Sequence, residues 1–496
     1  VNESILRQYQ CMKARALKEN ILRKMGRVLE AEELHKESLK INPLYDRQPE
    51  KINHNTLLEL MIDLYEAGDY AQGITLAEKW VEQQNVSRQE DIYPLVYYYI
   101  AYGYQNLHRK ENTEQANCYM TMYVTLGENA AADGCFPHRT EDYIVLKSLA
   151  EEYHLAMAYY YLGCLLYDRR VYGEAIADYE EAARRYPDFP TVHRNLALAY
   201  YNVKKQPQRA YEEMEKAFAL DETDARVYLE LDQLKKRLNV PVKERWSDME
   251  KHFDLVESRD DLYLEYVTLL NTLGENAKAL DLIMVRKFHQ WEGGEGKVAA
   301  QYLTALYQLA KAAVAKEDYA EAKELLLRAV DEYPHNLGEG KLESAQENNL
   351  YYLLGLVQEK MGETEEAFVN LTKACYGESE PVGMMYYNDQ PPEMIYYQGL
   401  AYRKLGDEEQ AVQRFCKLVD YGKEHIGDEI KIDYFAVSLP DLLIFEEDLK
   451  ERNRKHCLFM MSLGLKGLGR TDEAEKCAQQ LLAMDNAHQG IRVHDL

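Results

Sequence analysis

The most constraining feature of this sequence is a pattern that repeats after 34 residues, between Tyr159 and Glu222. Leu162 and Gly163 lie side by side in the first copy, and Leu196 and Ala197 lie at the equivalent positions of the second. Small residues recur further along each copy, at Ala175 and Ala182 and then, after one inserted residue, at Ala210 and Ala217. Because such a short copy cannot bury its own apolar face, the copies must stack against one another.

This spacing predicts that each copy is a helix, a tight turn and a second antiparallel helix, which is typical of the tetratricopeptide repeat (TPR). Gly163 and Ala175 are small enough to let the two helices approach closely, and Ala182 lies where the second helix meets the next pair. Pro187 follows the second helix and stops it. Similar pairs recur along the chain, so the sequence predicts an all-α, right-handed α-solenoid or superhelix of about eleven TPR-like helical pairs.

Breaks in the helical periodicity predict four segments. Residues 1–127 form N-terminal TPR-like hairpins, and residues 128–140 form an irregular connector. Residues 141–430 form the central superhelix, and residues 431–496 contain an insertion followed by the final pair. We therefore expect residues 1–127 to form a partly independent block.

Charge and composition narrow the classes of partner. The formal net charge is −26 at pH 7, which argues against nucleic acids and anionic membranes, since both need basic patches. The sequence contains no run of 18 apolar residues that would predict a membrane span, and no signal core at its start. The 8 cysteines form no C-x-x-C pair and are interpreted as reduced thiols, which favours a cytoplasmic location.

Patterns for metals and cofactors are absent from the sequence. The 13 histidines form no H-E-x-x-H motif and no zinc-like set with cysteine. Residues 293–297 do not form a phosphate-binding loop, because their glycine spacing is wrong and no Ser or Thr follows the lysine. The sequence therefore predicts no cofactor and no metal site, names no catalytic residue, and leans against an enzyme.

Five stretches carry a resemblance to a known family: 188–201, 217–232, 286–296, 336–341 and 433–453. Together they resemble bacterial TPR proteins that have a β-rich domain of unknown function N-terminal to the repeats. The resemblance covers the chain from about Glu141 to its end, and it implies a repeat platform attached to such a domain. Because the sequence lacks an initiator Met and opens directly into a helical pattern, we interpret Val1 as the start of a fragment of a longer chain. Members of the family often occur near sugar-utilisation functions.

A strip of tyrosines along the first helices of the pairs is the predicted partner-binding groove. Tyrosine combines an apolar ring with a polar tip, so it suits a half-exposed surface that binds a peptide, an extended loop or a glycan. The candidate residues are Tyr160, Tyr167, Arg194, Tyr201, Tyr307, Tyr352 and Tyr396. The alternative is that these tyrosines only pack between neighbouring helices.

The connector at residues 287–297, KFHQWEGGEGK, is a candidate ligand loop. Its candidate residues are His289, Trp291, Glu292 and Glu295. A tryptophan ring can stack on a sugar, carboxylates accept hydrogen bonds from sugar hydroxyls, and paired carboxylates serve glycoside hydrolysis at set separations. The alternative is a packing loop, because glycines between repeats often serve positive φ or close backbone approach.

Two functions follow from these features. The first is a non-catalytic TPR scaffold that binds a protein or peptide, including its own N-terminal domain, through the tyrosine-lined groove. The second is the C-terminal part of a carbohydrate-active or carbohydrate-binding protein whose Trp291 loop contributes to the site. A repeat fold does not by itself fix the partner. The two are separated by whether Trp291, Glu292 and Glu295 line a concave pocket or Trp291 packs into the scaffold.

Overall fold

A computed structural model describes ten ranges of the chain. These are residues 1–7, 9, 11–42, 53–87, 92–111, 114–291, 293–341, 345–383, 389–430 and 444–495. In these ranges the regular secondary structure is helical, with 26 α-helices, one short 3₁₀ turn and no strand. This confirms the all-α fold class that the helical periodicity predicts. Most of the predicted insertion, at 431–443, lies outside the described residues, as does Glu292.

The chain divides into two compact units, and the first, unit 1, comprises Val1–Ala199. Its helices are α1 (Asn2–Arg7), α2 (Met12–Lys24), α3 (Val28–Ile41), α4 (His54–Glu66), α5 (Tyr70–Ser87), α6 (Pro94–Glu111), α7 (Glu114–Asn129), α8 (Thr140–Tyr153), α9 (Ala156–Asp168), α10 (Tyr172–Arg185) and most of α11 (Pro190–Asn202). Helices α2–α3, α4–α5, α6–α7 and α9–α10 pack as pairs. No helix occupies residues 130–139, within the predicted irregular connector.

Unit 2 comprises Tyr200–Leu496. After the end of α11, its helices are α12 (Pro207–Leu220), α13 (Ala225–Arg237), α14 (Val242–Lys251), α15 (Phe253–Ser258), α16 (Asp260–Leu273), α17 (Asn276–Val285), α18 (Lys297–Ala315), α19 (Tyr319–Val330), α20 (Asn348–Met361), α21 (Thr364–Ala374), α22 (Pro392–Lys404), α23 (Glu408–His425), α24 (Leu449–Gly467), α25 (Thr471–Met484) and α26 (Gln489–Val493). From α16 to α25 consecutive helices form five pairs, each packed on the next. The division into two units does not test the four predicted segments, which stay a prediction.

Small residues allow the two helices of a pair to meet closely. A Cβ atom added at Gly163 of α9 would lie 2.5 Å from Cδ1 of Tyr179 on α10. The same relation recurs in unit 2, where a Cβ at Gly399 of α22 would lie 2.5 Å from Cε1 of Phe415 on α23. Since real Cβ atoms do not approach that closely, glycine at this repeat position lets a large ring from the second helix rest on the first. The spacing predicted a close approach of the two helices at this position, but not the ring that fills it.

We expect both Gly163→Leu and Ala182→Leu to destabilise unit 1 by about 1–3 kcal/mol through overpacking. Ala182 is buried on α10, so a larger side chain there also meets an occupied interior. The matched control is Gly173→Leu on the same helix, because a Cβ there meets no atom within 4 Å. Thermal midpoints measured for the three variants check the helix register, and unchanged midpoints for the first two would contradict it.

Candidate partner-binding surface

In unit 1, α9 carries Tyr160 and Tyr167, and α11 carries Arg194. Tyr160 is only 8% exposed and lies edge-on to Phe189, with ring centroids 4.9 Å apart. Burial raises the pKa of its hydroxyl well above the ordinary value. Tyr167 and Arg194 are half-buried, and Tyr167 packs on Tyr172 at a centroid distance of 5.0 Å. Of the three predicted residues in this unit, Tyr167 and Arg194 thus retain surface that a partner could reach.

In unit 2, the first helices α18, α20 and α22 bring three predicted tyrosines to one aromatic cluster. Tyr307 and Tyr396 are buried, at 4% and 5% exposure, whereas Tyr352 is half-buried. Their common neighbour is Tyr397, whose ring centroid lies 5.7 Å from that of Tyr352 and 5.4 Å from that of Tyr396. The hydroxyls of Tyr307 and Tyr397 are hydrogen-bonded at 2.7 Å. The sequence did not predict Tyr397 as a site residue, because it lies one position after the repeat position that Tyr396 occupies.

Residues 485–495, here called the C-terminal segment, lie on these first helices. The segment contains α26, which contacts α16. The Gln489 side-chain amide donates to the Thr268 carbonyl at 3.1 Å and to Thr272 Oγ1 at 3.1 Å. Arg492 donates to the carbonyl of Thr272 at 2.8 Å. The segment is therefore held by side-chain donors that meet acceptors of α16.

Two lysines hold the end of the C-terminal segment. Lys311 of α18 donates to the Val493 carbonyl and to the Asp495 carboxylate, both at 2.8 Å. Lys466 of α24 donates to the carbonyl of His494 at 3.0 Å and also to that of Asp495. The ammonium groups of two different repeat pairs thus converge on one acidic turn.

His494 joins the C-terminal segment to the aromatic cluster. Its Nδ1 lies 3.0 Å from the Tyr397 hydroxyl, and the two rings meet edge-on at 5.5 Å. Burial, together with the charges of Lys311 and Lys466, lowers the pKa of His494 to about 3. The imidazole is therefore neutral at pH 7. The predicted tyrosines of unit 2 thus lie beside a segment of the same chain.

A second segment lies near Tyr201, at the end of α11. The Tyr201 ring is half-buried and lies edge-on to Phe445, with centroids 5.1 Å apart. Asn202 secures that neighbour, because its amide donates to the Ile444 carbonyl and its oxygen accepts from the Glu446 N–H, both at 2.8 Å. Phe445 is fully buried. The sequence pattern gave no signal for this contact, which joins residues more than 200 positions apart.

The candidate ligand loop makes structural contacts at its described residues. His289 is exposed, and its backbone N–H donates to Asp260 Oδ2 at 2.9 Å. Burial alone would raise the pKa of Asp260, but hydrogen bonds from His289 and Arg286 lower it. Trp291 is half-buried and lies so close to Gly294 that any Cβ there would overlap its ring. Glu295 is exposed. The described contacts of His289 and Trp291 are thus with α16 and with the backbone of the loop itself.

This loop is also fixed by a second connector that contains glycines, residues 334–341, which the sequence did not link to it. Glu339 accepts hydrogen bonds from the N–H groups of Gly296 at 2.8 Å and Ala299 at 3.1 Å, so it caps the N-terminus of α18. The Asn336 side-chain amide donates to the Ile283 carbonyl at 2.8 Å, and the Asn336 backbone carbonyl accepts from the Phe288 N–H at 2.8 Å. The described contacts therefore favour the packing interpretation of this loop.

A shallow pocket lies on the second helix α19, away from the predicted residues. Its volume is about 650 Å³, and it is lined by Tyr302, Ala320, Lys323, Glu324, Leu327, Arg328, Asp331, Glu332, Pro334 and Met361. Its lining mixes both signs of charge.

Across the described ranges, no three His, Cys, Asp or Glu residues are grouped so that they could hold a metal ion. No helix in the described part of the chain is long and apolar enough to cross a membrane.

Models of the tetratricopeptide repeat match residues 160–225, 304–336 and 393–421. The first match covers the 34-residue repeat with which the sequence pattern begins, and the others cover the pairs that start at α18 and α22. All three fall on helical pairs of the expected length.

Solved structures of other repeat proteins are similar to this chain at low identity. Yeast Tom70 is 11% identical, with 98% of this chain and 94% of that chain covered, at a TM-score of 0.31. A tetratricopeptide repeat protein from Parabacteroides merdae is 15% identical, with 61% and 98% covered, at 0.23. The C-terminal part of a TPR repeat-containing protein from Cytophaga hutchinsonii is 13% identical, with 63% and 93% covered, at 0.20. The repeat matches and the helical pairs together show that this protein contains tetratricopeptide repeats.

Proposed function

We propose that this protein is a non-catalytic scaffold that binds a protein or peptide partner through the first helices of unit 2. The surface concerned is formed by α16, α18, α20, α22 and α24, and we call it the first-helix surface. Tetratricopeptide repeats are typical of protein–protein interaction scaffolds. The observation that carries the proposal is that a peptide segment of this chain, residues 485–495, already lies on this surface through specific hydrogen bonds.

The chemistry of the first-helix surface suits a peptide. Tyr352 offers a half-buried aromatic face, and Tyr397 places a hydroxyl within hydrogen-bonding distance of an imidazole. Lys311 and Lys466 supply charged donors beside this aromatic cluster, with the Lys311 ammonium 5.9 Å from the centroid of the Tyr307 ring. Aromatic side chains and hydrogen-bonded charges commonly carry most of the binding energy at interfaces. A segment of an N-terminal domain, as the family resemblance implies, would be recognised by the same groups.

In unit 1, Tyr167 and Arg194 are two further candidate residues for partner binding. Both are half-buried, so each keeps some surface that a partner could reach. We assign them a role in partner binding on the same grounds as Tyr352, and Arg194→Ala tests that role.

We expect Tyr352→Ala to weaken partner binding by at least about fivefold while lowering the melting temperature little. The ring is partly solvated, so its loss leaves a small cavity, whereas an aromatic anchor commonly contributes more than about 1 kcal/mol to binding. The measurement uses peptides selected from a displayed random library against the full chain, with affinity and melting temperature determined for each variant. Arg194→Ala is measured in the same way.

The matched control is Tyr376→Ala, since Tyr376 is 69% exposed just beyond α21. That variant should retain both affinity and stability. A large loss of stability in Tyr352→Ala with unchanged affinity would show that the ring only packs between helices, for which a fully buried ring costs about 3–5 kcal/mol.

A further inference from the structure

We propose that the C-terminal segment is a displaceable resident ligand of the first-helix surface, and that an external partner competes with it using the same chemistry. That partner is a short helical peptide with a side-chain amide, an adjacent small residue, a guanidinium one turn later and an acidic group at its end. This inference rests on the proposed function and adds its regulation and the class of peptide recognised.

The first requirement is a pair of hydrogen-bond donors one helical turn apart, and it follows from the acceptors on α16. The side chain of Gln489 contacts Thr268, Thr272 and also Gln301 of α18, with its amide nitrogen 3.1 Å from Gln301 Oε1. Arg492, three residues later on the same short helix, donates to the Thr272 carbonyl. Residues three apart lie on one helical face. The acceptors of α16 and α18 thus select a helical peptide with an amide and a guanidinium at that spacing.

The second requirement, a small residue, comes from α24. A Cβ added at Gly490 would lie 2.5 Å from Cζ of Phe459. The Phe459 ring therefore rests directly on the peptide backbone and leaves no room for a larger side chain. Any competing peptide needs a small residue at this position.

The third requirement, an acidic end, comes from Lys311 and Lys466. Their ammonium groups converge on residues 493–495, and Asp495 supplies the carboxylate that pairs with Lys311. Burial and the nearby charge of Lys311 lower the pKa of Lys466. Two cations held this close are stabilised by an acidic occupant, which gives the surface a preference for negatively charged peptide ends.

The segment has features of a ligand that can leave. Helix α26 has five residues, which is too short to be stable without the surface beneath it. Ile491 and His494 are its buried side chains, while Arg492 and Asp495 keep solvent-exposed surface. The segment therefore buries fewer side chains than the long helices that form the pairs.

The test measures binding of a fluorescent synthetic peptide of residues 485–495 to the full chain. In the Gly490→Leu variant the resident segment should be excluded by Phe459, so the free peptide should bind at least tenfold more tightly than to wild type. The control variant is Gln480→Leu, on the exposed face of α25, which should bind like wild type. Peptides that carry Gly490→Leu or Asp495→Asn should bind the Gly490→Leu chain more weakly than the unmodified peptide does.

Equal affinities for wild type and a folded Gly490→Leu chain, or no binding to either, would overturn the inference. If that variant does not fold, the test is hydrogen exchange of isotopically labelled wild type. Excess peptide should speed exchange at residues 489–495, and unchanged exchange there would overturn the inference.

Library-selected peptides separate the two proposals. If they bind wild type and variant equally on the first helices, the proposed function stands and displacement is wrong; if no peptide binds either chain, both are wrong.

Discussion

Replacing Arg245 with methionine is expected to lower the free energy of unfolding of unit 2 by about 3–5 kcal/mol, because it leaves buried carboxylates without their cationic partner. Arg245 of α14 is 1% exposed. Its guanidinium donates to both oxygens of Asp232, at 2.9 and 2.6 Å, and to Glu265 at 2.7 Å. Burial raises the pKa of the Asp232 carboxyl even beside this cation. Without the arginine, Asp232 must either stay charged and unpaired or take up a proton.

Urea unfolding of the variant measures this loss. The control is Arg470→Met, which removes an equally short pair with Glu473 on the exposed surface, where solvent screens the charges. That change should move the unfolding midpoint little. The double variant Arg245→Met with Asp232→Leu should recover part of the lost unfolding free energy, since it also removes the Asp232 carboxylate that would otherwise be buried without a cation. Similar midpoints for Arg245→Met and Arg470→Met would contradict the buried network.

Acidification is expected to remove the stability that His494 gives to unit 2. The pKa of its imidazole is about 3 in the folded chain, against an ordinary value of 6.5. The folded state therefore binds this proton less readily than the unfolded state, and the stability is fully present above pH 6.5. It falls as the pH drops from 6.5 toward 3. The expected loss is about 2 kcal/mol between pH 7 and pH 5, and about 3 kcal/mol by pH 4.

A comparison with His494→Gln isolates this residue from other groups that titrate in the same range. The glutamine amide can still hydrogen-bond to the Tyr397 hydroxyl but carries no titratable proton. Wild type should lose stability relative to this variant as the pH falls, by the amounts given above, in urea unfolding at each pH. His335→Gln, at an exposed position, serves as the control. Parallel pH profiles for wild type and His494→Gln would show that His494 is not buried against the first-helix surface.

The helical pairs could be predicted from the sequence because the forces that specify them are local. Gly163 and Gly399 recur at the same repeat position, since each must admit a ring of its own second helix, Tyr179 or Phe415. Such contacts join residues 16 positions apart, so they produce a periodic pattern in the sequence. The repeat period and the predicted absence of strand both follow from that pattern.

The candidate site was only partly predictable, because its decisive contacts are neither local nor periodic. Tyr307, Tyr352 and Tyr396 were found through their repeat position, but Tyr397, which joins them to His494, lies outside that register. The C-terminal segment reaches α16 across more than 200 residues, and nothing in its sequence signals that distance. Glu339 likewise caps α18 from another connector. Single contacts of this kind depend on the folded geometry.

Hydrogen exchange of the full chain with and without a library-selected peptide tests the central claim most directly. The account predicts that bound peptide protects the first helices α18, α20 and α22, and that exchange at residues 489–495 becomes faster as the resident segment leaves. Protection confined to the second helices α19, α21 and α23, with exchange at 489–495 unchanged, would contradict a partner surface on the first helices.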